Sequence, residues 1–513
     1  MRTPSAAVLA ALALLVAGCG PGRPLPASAP GPVFLLGFDG LSPDLVERFE
    51  AEGAMPNFAR LAREGAVAHL RSTIPMTSPP AWTTISTGTP PADHGIWSFW
   101  IPSAGDPRGR FVDASCRLAP AIWQDLTARG RTVGVVNVPI TCPPDSVNGF
   151  MIAGFPYPKD APLTFPRELE AEIVAQGYQR DAWLGPPEAG HEEEWLDRIV
   201  AIEKARRKIG LGLLFERHPD FSFIVFTAPD RIQHHLWKFQ DAKHPGYRPD
   251  APARLKTAVR DIYVWCDDVL GEVTSRLPAN ATLFVVSDHG FGPAYVGVSK
   301  ERVLAELGGT PMSTAQKEAA APAAESRNLF GGDFHLAGAD SAARVRFEES
   351  LARLTDEGRP VVAAVHDIRS ESVRGFGLAL GPDVVAEEAD GYLFYPGAPN
   401  APLTGPLPPR AFSGWHRRVG WFAARGHPIV PGRVRDLDLG DVPAMVMHLL
   451  GETVPRRYVQ NVPKALFPPN YFIERPMRFK GDVQEGLRRP GAFAETTVDP
   501  AVAEQLRSLG YLK

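Results

Sequence analysis

At 513 residues the chain can hold one large α/β domain with an insertion, or two to three ordinary domains, and it can bury a substantial core. A net charge of −4 and an isoelectric point near 6.4 exclude the global basic excess that nucleic-acid binding favours, and no nucleic-acid-binding module is evident. The 48 glycines and 52 prolines are spread along the chain, which argues for many loops rather than for a low-complexity tail.

In chain order, the first feature is a basic Arg2, an apolar run over 6–16 and then Val16-Ala17-Gly18-Cys19. The run is too short to span a bilayer and reads as a signal peptide over 1–18. Small residues directly before a cysteine resemble the bacterial lipobox, which implies that Cys19 is diacylated and holds the exported chain on a membrane. The expected place is the outer membrane, facing the periplasm, if the host has one. Residues 19–31, rich in Pro and Gly, read as an extended tether. The remaining cysteines, Cys116, Cys142 and Cys266, form an odd set without metal-type spacing, and a Cys116–Cys142 bridge stays open.

Short apolar runs at 33–38, 133–138, 221–226 and 283–286 have the length and β-branched or aromatic content of buried strands. Helical periodicity marks 43–52, 57–65, 121–129, 253–277 and 441–450. Strands alternating with helices predict an α/β fold with a mostly parallel sheet covered on both faces. The alternation becomes irregular over 292–410, which includes an Ala/Ser/Thr/Gln-rich stretch at 310–326 and a Pro-rich one at 396–409. This reads as a cap subdomain inserted between core segments 32–291 and 411–465. Beyond it, 466–513 reads as an extension whose Asp499-Pro500 pair opens a last helix over 501–509.

Three of the strands end in a carboxylate: Phe38-Asp39-Gly40, Phe226-Thr227-Ala228-Pro229-Asp230 and Val286-Ser287-Asp288-His289. Ligand sites of open α/β sheets lie outside the carboxyl ends of the strands, so parallel neighbours bring these groups together. Asp230 and His234 are spaced i, i+4 and face one way on a helix, as two ligands of one cation require. His235 points elsewhere and is a candidate outer contact or substrate contact. Ser413-Gly414-Trp415-His416 adds a histidine in a Gly-containing loop. Thr77-Ser78-Pro79-Pro80 places two hydroxyls at a helix start, where free backbone N–H groups bind phosphate. Trp82, Phe99 and their neighbours Trp97 and Trp100 are candidates for an apolar leaving-group pocket.

The order Asp39-Gly40, hydroxyl before proline, Thr87-Gly88…His94-Gly95-Ile96, Asp230…His234, Asp288-His289 and a late His416 resembles the type I phosphodiesterase/nucleotide pyrophosphatase family. The resemblance implies an alkaline phosphatase-like three-layer sandwich and two divalent cations, usually zinc, with manganese as an alternative. Carried over residue by residue, Asp230, His234 and His416 would hold one cation. Asp39, Asp288, His289 and the nucleophile would hold the other. Counting back from Thr87-Gly88 selects Ser78 as nucleophile, and counting by hydroxyl and first proline selects Thr77. The implied activity is hydrolysis of phosphate esters through a phosphoseryl or phosphothreonyl intermediate. Three alternatives remain: a sulfatase, disfavoured because Trp82 stands where that motif needs arginine; a phosphoglycerol or phosphoethanolamine transferase; and a non-catalytic envelope scaffold. One departure stands out, since the asparagine that nucleotide pyrophosphatases carry shortly after His-Gly-Ile is absent from Trp97-Ser98-Phe99-Trp100.

Overall fold

The computed structural model describes residues 30–103, 106–180, 185–307, 330–336, 339–370, 372–397, 400–408, 411–458 and 462–490. Cys19, the stretch 310–326 and the expected helix 501–509 lie outside them.

The strands of the central sheet are β1 (Val33–Phe38), β2 (Ala66–Arg71), β3 (Val133–Val136), β4 (Gly149–Ile152), β5 (Thr164–Phe165), β6 (Phe221–Phe226) and β7 (Thr282–Val286). Downstream come β8 (Gly290–Ser299), β9 (Gly414–Arg417) and β10 (Val419–Gly426). The order is β2-β10-β7-β1-β6-β3-β4-β5, with Gly432–Arg433 and Leu437–Asp438 pairing with the outer edge of β2. The run β7-β1-β6-β3-β4 is parallel throughout, whereas β10 is antiparallel to both neighbours and β5 is antiparallel to β4.

Alternate side chains on these strands enter two apolar layers, as the period of two along a strand requires. Phe34, Leu36, Phe38, Ile224, Phe226, Leu283 and Val285 face one layer. Val33, Leu35, Phe221, Phe223, Val225, Phe284 and Val286 face the other. On the first side lie α1 (Pro43–Ala51), α2 (Pro56–Glu64) and, further along the chain, α6 (Ala228–Gln240) and α7 (Ala253–Arg276). On the second lie α3 (Ser78–Thr87), α4 (Ile122–Thr127) and α8 (Asp441–Leu449). Helix α5 (Glu192–Arg206) packs beside α6 and α7. Each fully buried ring or branched chain contributes about 1.5–3 kcal/mol, so burial on both faces makes this sheet the structural centre of the molecule.

The elements expected within the described residues are present, with ends that agree to within two residues. The strand expected over 133–138 stops at Val136, because Asn137 turns into the left-handed region at φ +56°. Described residues within 298–394 form a separate apolar core around Val298, Phe334, Phe347, Leu351, Val384 and Phe394. There a small sheet joins β8 to Gly391–Tyr395, and β9 pairs antiparallel to the start of β8. Cys116, Cys142 and Cys266 are buried free thiols. No helix among the described residues is long and apolar enough to cross a membrane.

Candidate active site

Strand β1 lies between β6 and β7 in parallel register, so the chain leaves all three at the same edge of the sheet. Asp39 extends the pairing by one residue through its N–H to Phe226 O at 2.9 Å, and the chain then turns at Gly40. A side chain at Gly40 would meet strain twice: φ is +71°, and a Cβ would stand 3.1 Å from Asp230 Cα. The turn is tied to the end of β7 by Gly40 N–H donating to Asp288 Oδ1 (3.2 Å) and Leu41 N–H donating to Ser287 Oγ (2.7 Å). Ser287 in turn donates to His289 O (2.7 Å).

Helix α6 presents Asp230 and His234 one turn apart, and its first N–H groups are capped from outside. Glu203 Oε1 accepts from Thr227 N–H and Ala228 N–H, both at 2.8 Å. His416 arrives from β9, held against α6 because Gly414 has no side chain; a Cβ there would lie 2.6 Å from Gln233 O. Ser413 N–H and Oγ–H both donate to His234 O.

Three buried carboxylates and three buried imidazoles converge at this edge. His234 Nε2 lies 3.0 Å from His416 Nε2 and 3.3 Å from Asp230 Oδ1, and His416 Nε2 lies 3.2 Å from the same oxygen. His289 Nε2 lies 3.4 Å from Asp39 Oδ1, 3.3 Å from Asp288 Oδ2 and 3.9 Å from Asp230 Oδ1. Two groups have ligand atoms mutually within 4.8 Å: Asp230, His289 and His416, and Asp39, Asp288 and His289.

The donor set suits cations. His234 Nδ1 stands 3.0 Å from Gly414 O and His289 Nδ1 stands 3.1 Å from Gly290 O, and a carbonyl only accepts. Both Nδ1 atoms therefore carry the proton, and both Nε2 lone pairs face carboxylate oxygens or another imidazole. Asp288 Oδ2 is buried without any hydrogen-bond partner. Lone pairs gathered against lone pairs in a buried site are repulsive unless positive charge lies among them.

The protonation tendencies agree. Burial, with the charges of Asp288 and Asp230, pushes Asp39 well above the usual carboxylate range, and burial with Asp230 does the same to Asp288. Burial also acts on Asp230, but its contacts with the His234 and His416 ring nitrogens outweigh it and hold Asp230 well below. Burial pushes His416 down to about 4, and burial with the nearby His416 pushes His289 well below its ordinary value. Neutral imidazoles are the form that binds metal.

Ser78 is the first residue of α3, with Thr77 as its N-cap. Ser78 Oγ lies 3.2 Å from Asp39 Oδ1 and 3.3 Å from His289 Nε2, whereas Thr77 Oγ1 is buried without a partner. Expected free N–H donors at this helix start are fewer than its position suggests. Pro79 and Pro80 have none, and Ala81 N–H already bonds to Thr77 O at 3.2 Å. The Ser78 N–H is what α3 itself offers to an anion. The helix closes at Gly88 in the left-handed region, and the following His94 is locked under it. Its Nδ1 accepts from Ile96 N–H (3.1 Å), so its Nε2 donates to Thr84 Oγ1 (3.0 Å).

A cleft opens over these groups, lined by Asp39, Thr77, Ser78, Phe99, Asn137, Pro139, Phe155, Thr227, Asp230, Arg231, His234, Phe330, Trp415 and His416. Phe99 is thus at the cleft. Trp82 is not: fully buried on the second apolar layer, it donates Nε1–H to Asp39 Oδ2 at 2.9 Å and supports the carboxylate from behind. His235 is also absent from the cleft, packed edge-on to Trp195 at 5.3 Å and against Phe412. Trp97 turns to a different region, donating to Gly377 O. Sequence reasoning missed Asn137 and Arg231 as cleft residues. Asn137 was findable as the polar residue ending an apolar strand, and Arg231 as the neighbour of Asp230.

The family model for type I phosphodiesterase / nucleotide pyrophosphatase matches residues 33–372. Among solved structures, murine ectonucleotide pyrophosphatase/phosphodiesterase 5, in an inactive form in complex with AMP, aligns with a TM-score of 0.50 and 14% identity. That alignment covers 85% of this chain and 100% of that one. Phosphonoacetate hydrolase from Sinorhizobium meliloti 1021, in complex with phosphonoformate, aligns with a TM-score of 0.51 and 18% identity, covering 82% of this chain and 96% of that one. At such identities the likeness speaks for the fold. No curated protein matches the chain in sequence. With the family model spanning the β1 to β7 sheet and its carboxylate-bearing edge, the chain belongs to the type I phosphodiesterase/nucleotide pyrophosphatase family of the alkaline phosphatase superfamily and is a phosphoric ester hydrolase.

Proposed function

We propose that the chain cleaves phosphate esters with Ser78 as nucleophile at a two-cation centre. Asp230, His234 and His416 hold one ion, and Asp39, Asp288, His289 and Ser78 hold the other. The observation that carries this reading is the position of Ser78 Oγ, 3.2 Å from Asp39 and 3.3 Å from His289 at the head of α3. Bound divalent cations supply positive charge that lowers the pKa of a hydroxyl and compensates the oxygens that gain charge in an in-line displacement.

Ser78 Oγ gives up its proton to solvent and bonds to phosphorus as the ester P–O bond breaks, and the departing alkoxide takes a proton from solvent. Water then cleaves the phosphoserine and restores the hydroxyl. Trp82 Nε1–H holds Asp39 in place, while the Ser78 N–H faces the phosphoryl oxygens. Phe99, Phe155, Phe330 and Trp415 form aromatic walls that suit an apolar or planar leaving group. The separate core of 298–394 supports reading 292–410 as a cap, with Phe330 reaching the cleft. Residues 1–31 support export and attachment through Cys19.

The test is a panel of phosphate monoesters, phosphodiesters, pyrophosphates and sulfate esters, assayed on chelator-treated protein before and after addition of Zn²⁺ or Mn²⁺. Metal-dependent cleavage of the phosphate compounds is expected, with sulfate esters at background. Preferred sulfate-ester cleavage, or turnover indifferent to chelation, would contradict the reading.

A further inference from the structure

The two ligand sets stand on different elements, Asp39 on the turn after β1 and Asp230 with His234 on α6, and one buried side-chain chain joins those elements. Gln233 donates Nε2–H to Gly40 O at 2.8 Å, directly after Asp39, and also to Pro229 O at 2.9 Å, directly before Asp230. Its Oε1 accepts from Tyr263 Oη–H at 3.0 Å. Tyr263 Oη in turn accepts from Ser42 N–H at 2.8 Å, on the far side of the same turn. Gln233 and Tyr263 are both fully buried.

The chain has a fixed direction. A backbone N–H can only donate, so Ser42 uses a lone pair of Tyr263 and the phenol proton goes to Gln233. That bond fixes which end of the amide is oxygen, so the NH₂ must point to Gly40 O and Pro229 O. Each donor and acceptor has one assignment, which gives the network a single arrangement. Gln233 also sits immediately before His234, so the residue that grips the Asp39–Gly40 turn belongs to the same helical turn as the ligands of the other set.

We propose that Gln233 and Tyr263 are positioning residues that set the distance between the two cation sites, so that occupation of one site organises the other. This rests on the two-cation reading above. Ligand separation must hold within a fraction of an ångström for two ions to share one phosphoryl group. A turn and a helix from distant parts of the chain have no covalent reason to hold it. Beyond the strand pairing of Asp39 with Phe226, the brace adds a hydrogen-bonded link between turn and helix without touching an ion.

The test uses Tyr263→Phe and Gln233→Met, which keep the buried volume and remove only the polar links, together with the double variant. Chelator-treated full-length protein is titrated with Co²⁺ by calorimetry and by the visible spectrum of the bound ion. Wild type is expected to bind two ions. Each single variant is expected to bind the weaker ion about 10- to 100-fold less tightly, the range outer partners of metal ligands command, and to lose kcat with little change in KM. The double variant is expected to be no worse than either single one, because the two residues act as one chain. Wild-type affinity in both variants, even alongside lowered thermal stability, would overturn the proposal by making the network a feature of packing alone. A wild type that binds fewer than two ions would overturn the two-cation reading and the brace with it.

Discussion

His289 Nε2 faces Asp39 Oδ1 across 3.4 Å, and because the Nδ1 proton of His289 is given to Gly290 O, both atoms meet as lone pairs. With Asp39 ionised the contact is unfavourable, and it becomes favourable when a cation lies between. His289 is also within 3.9 Å of Asp230, so it adjoins both ligand sets. Asp288→Ala and His416→Ala are therefore expected each to lose about one metal equivalent and most activity, while His289→Ala depletes both sites. Metal content by elemental analysis checks this, and full occupancy in Asp288→Ala and His416→Ala would show the ligand assignment wrong.

A second prediction concerns stability and pH. Burial holds His94 down to about 3 from the usual 6.5. The unfolded chain takes up this proton first, so the contribution of neutral His94 is fully present above 6.5. It is lost as pH falls toward 3, at about 1.4 kcal/mol per pH unit. His94→Gln should be less stable at neutral pH and show a shallower decline over that window. Parallel urea-midpoint curves for the two proteins would refute the assignment.

Part of the candidate site is legible in the sequence, and part depends on tertiary pairing. Asp39, Asp230 and Asp288 were legible because each follows within four residues a run apolar on both faces, and parallel strands deliver such ends to one edge. The pairing of Asp230 with His234 follows from helical spacing alone. His416 carries no such local signal, since it lies on a four-residue strand whose position depends on pairing with β8. Trp82 was misplaced for a related reason. An aromatic residue one turn into a helix looks the same in sequence whether that face meets the sheet or the cleft, and α3 turns it to the sheet. The two prolines after Ser78 announced a helix start while removing the donors that make helix starts bind anions.

A third prediction tests the aromatic walls. Phe99 packs edge-on to Phe155 at 5.7 Å at the cleft. Phe99→Ala should raise KM for aryl and nucleoside esters by about 5- to 10-fold, with kcat and methyl-ester turnover little changed. Steady-state kinetics on paired substrates decides it, and an equal loss on both leaving groups would speak against a leaving-group role.

A fourth concerns the amino terminus. Cys19→Ser should abolish lipid labelling and release or misprocess the chain. Fractionation with a labelled fatty acid checks it, and a wild type without label would remove the anchor from the account.

The central claim is that Ser78 carries the phosphoryl group. Ser78→Ala leaves the carboxylates and histidines in place, so it should still bind metal and substrate while turnover drops by at least about a thousandfold. Thr77→Val should remain close to wild type, since the Thr77 hydroxyl has no partner at the site. The most direct measurement is acid quenching of metal-loaded enzyme during turnover of a slow substrate, followed by mass-spectrometric mapping of the phosphorylated residue. The account predicts phosphate on Ser78 and none in Ser78→Ala. Phosphate on Thr77, or near-normal turnover by Ser78→Ala, would contradict it.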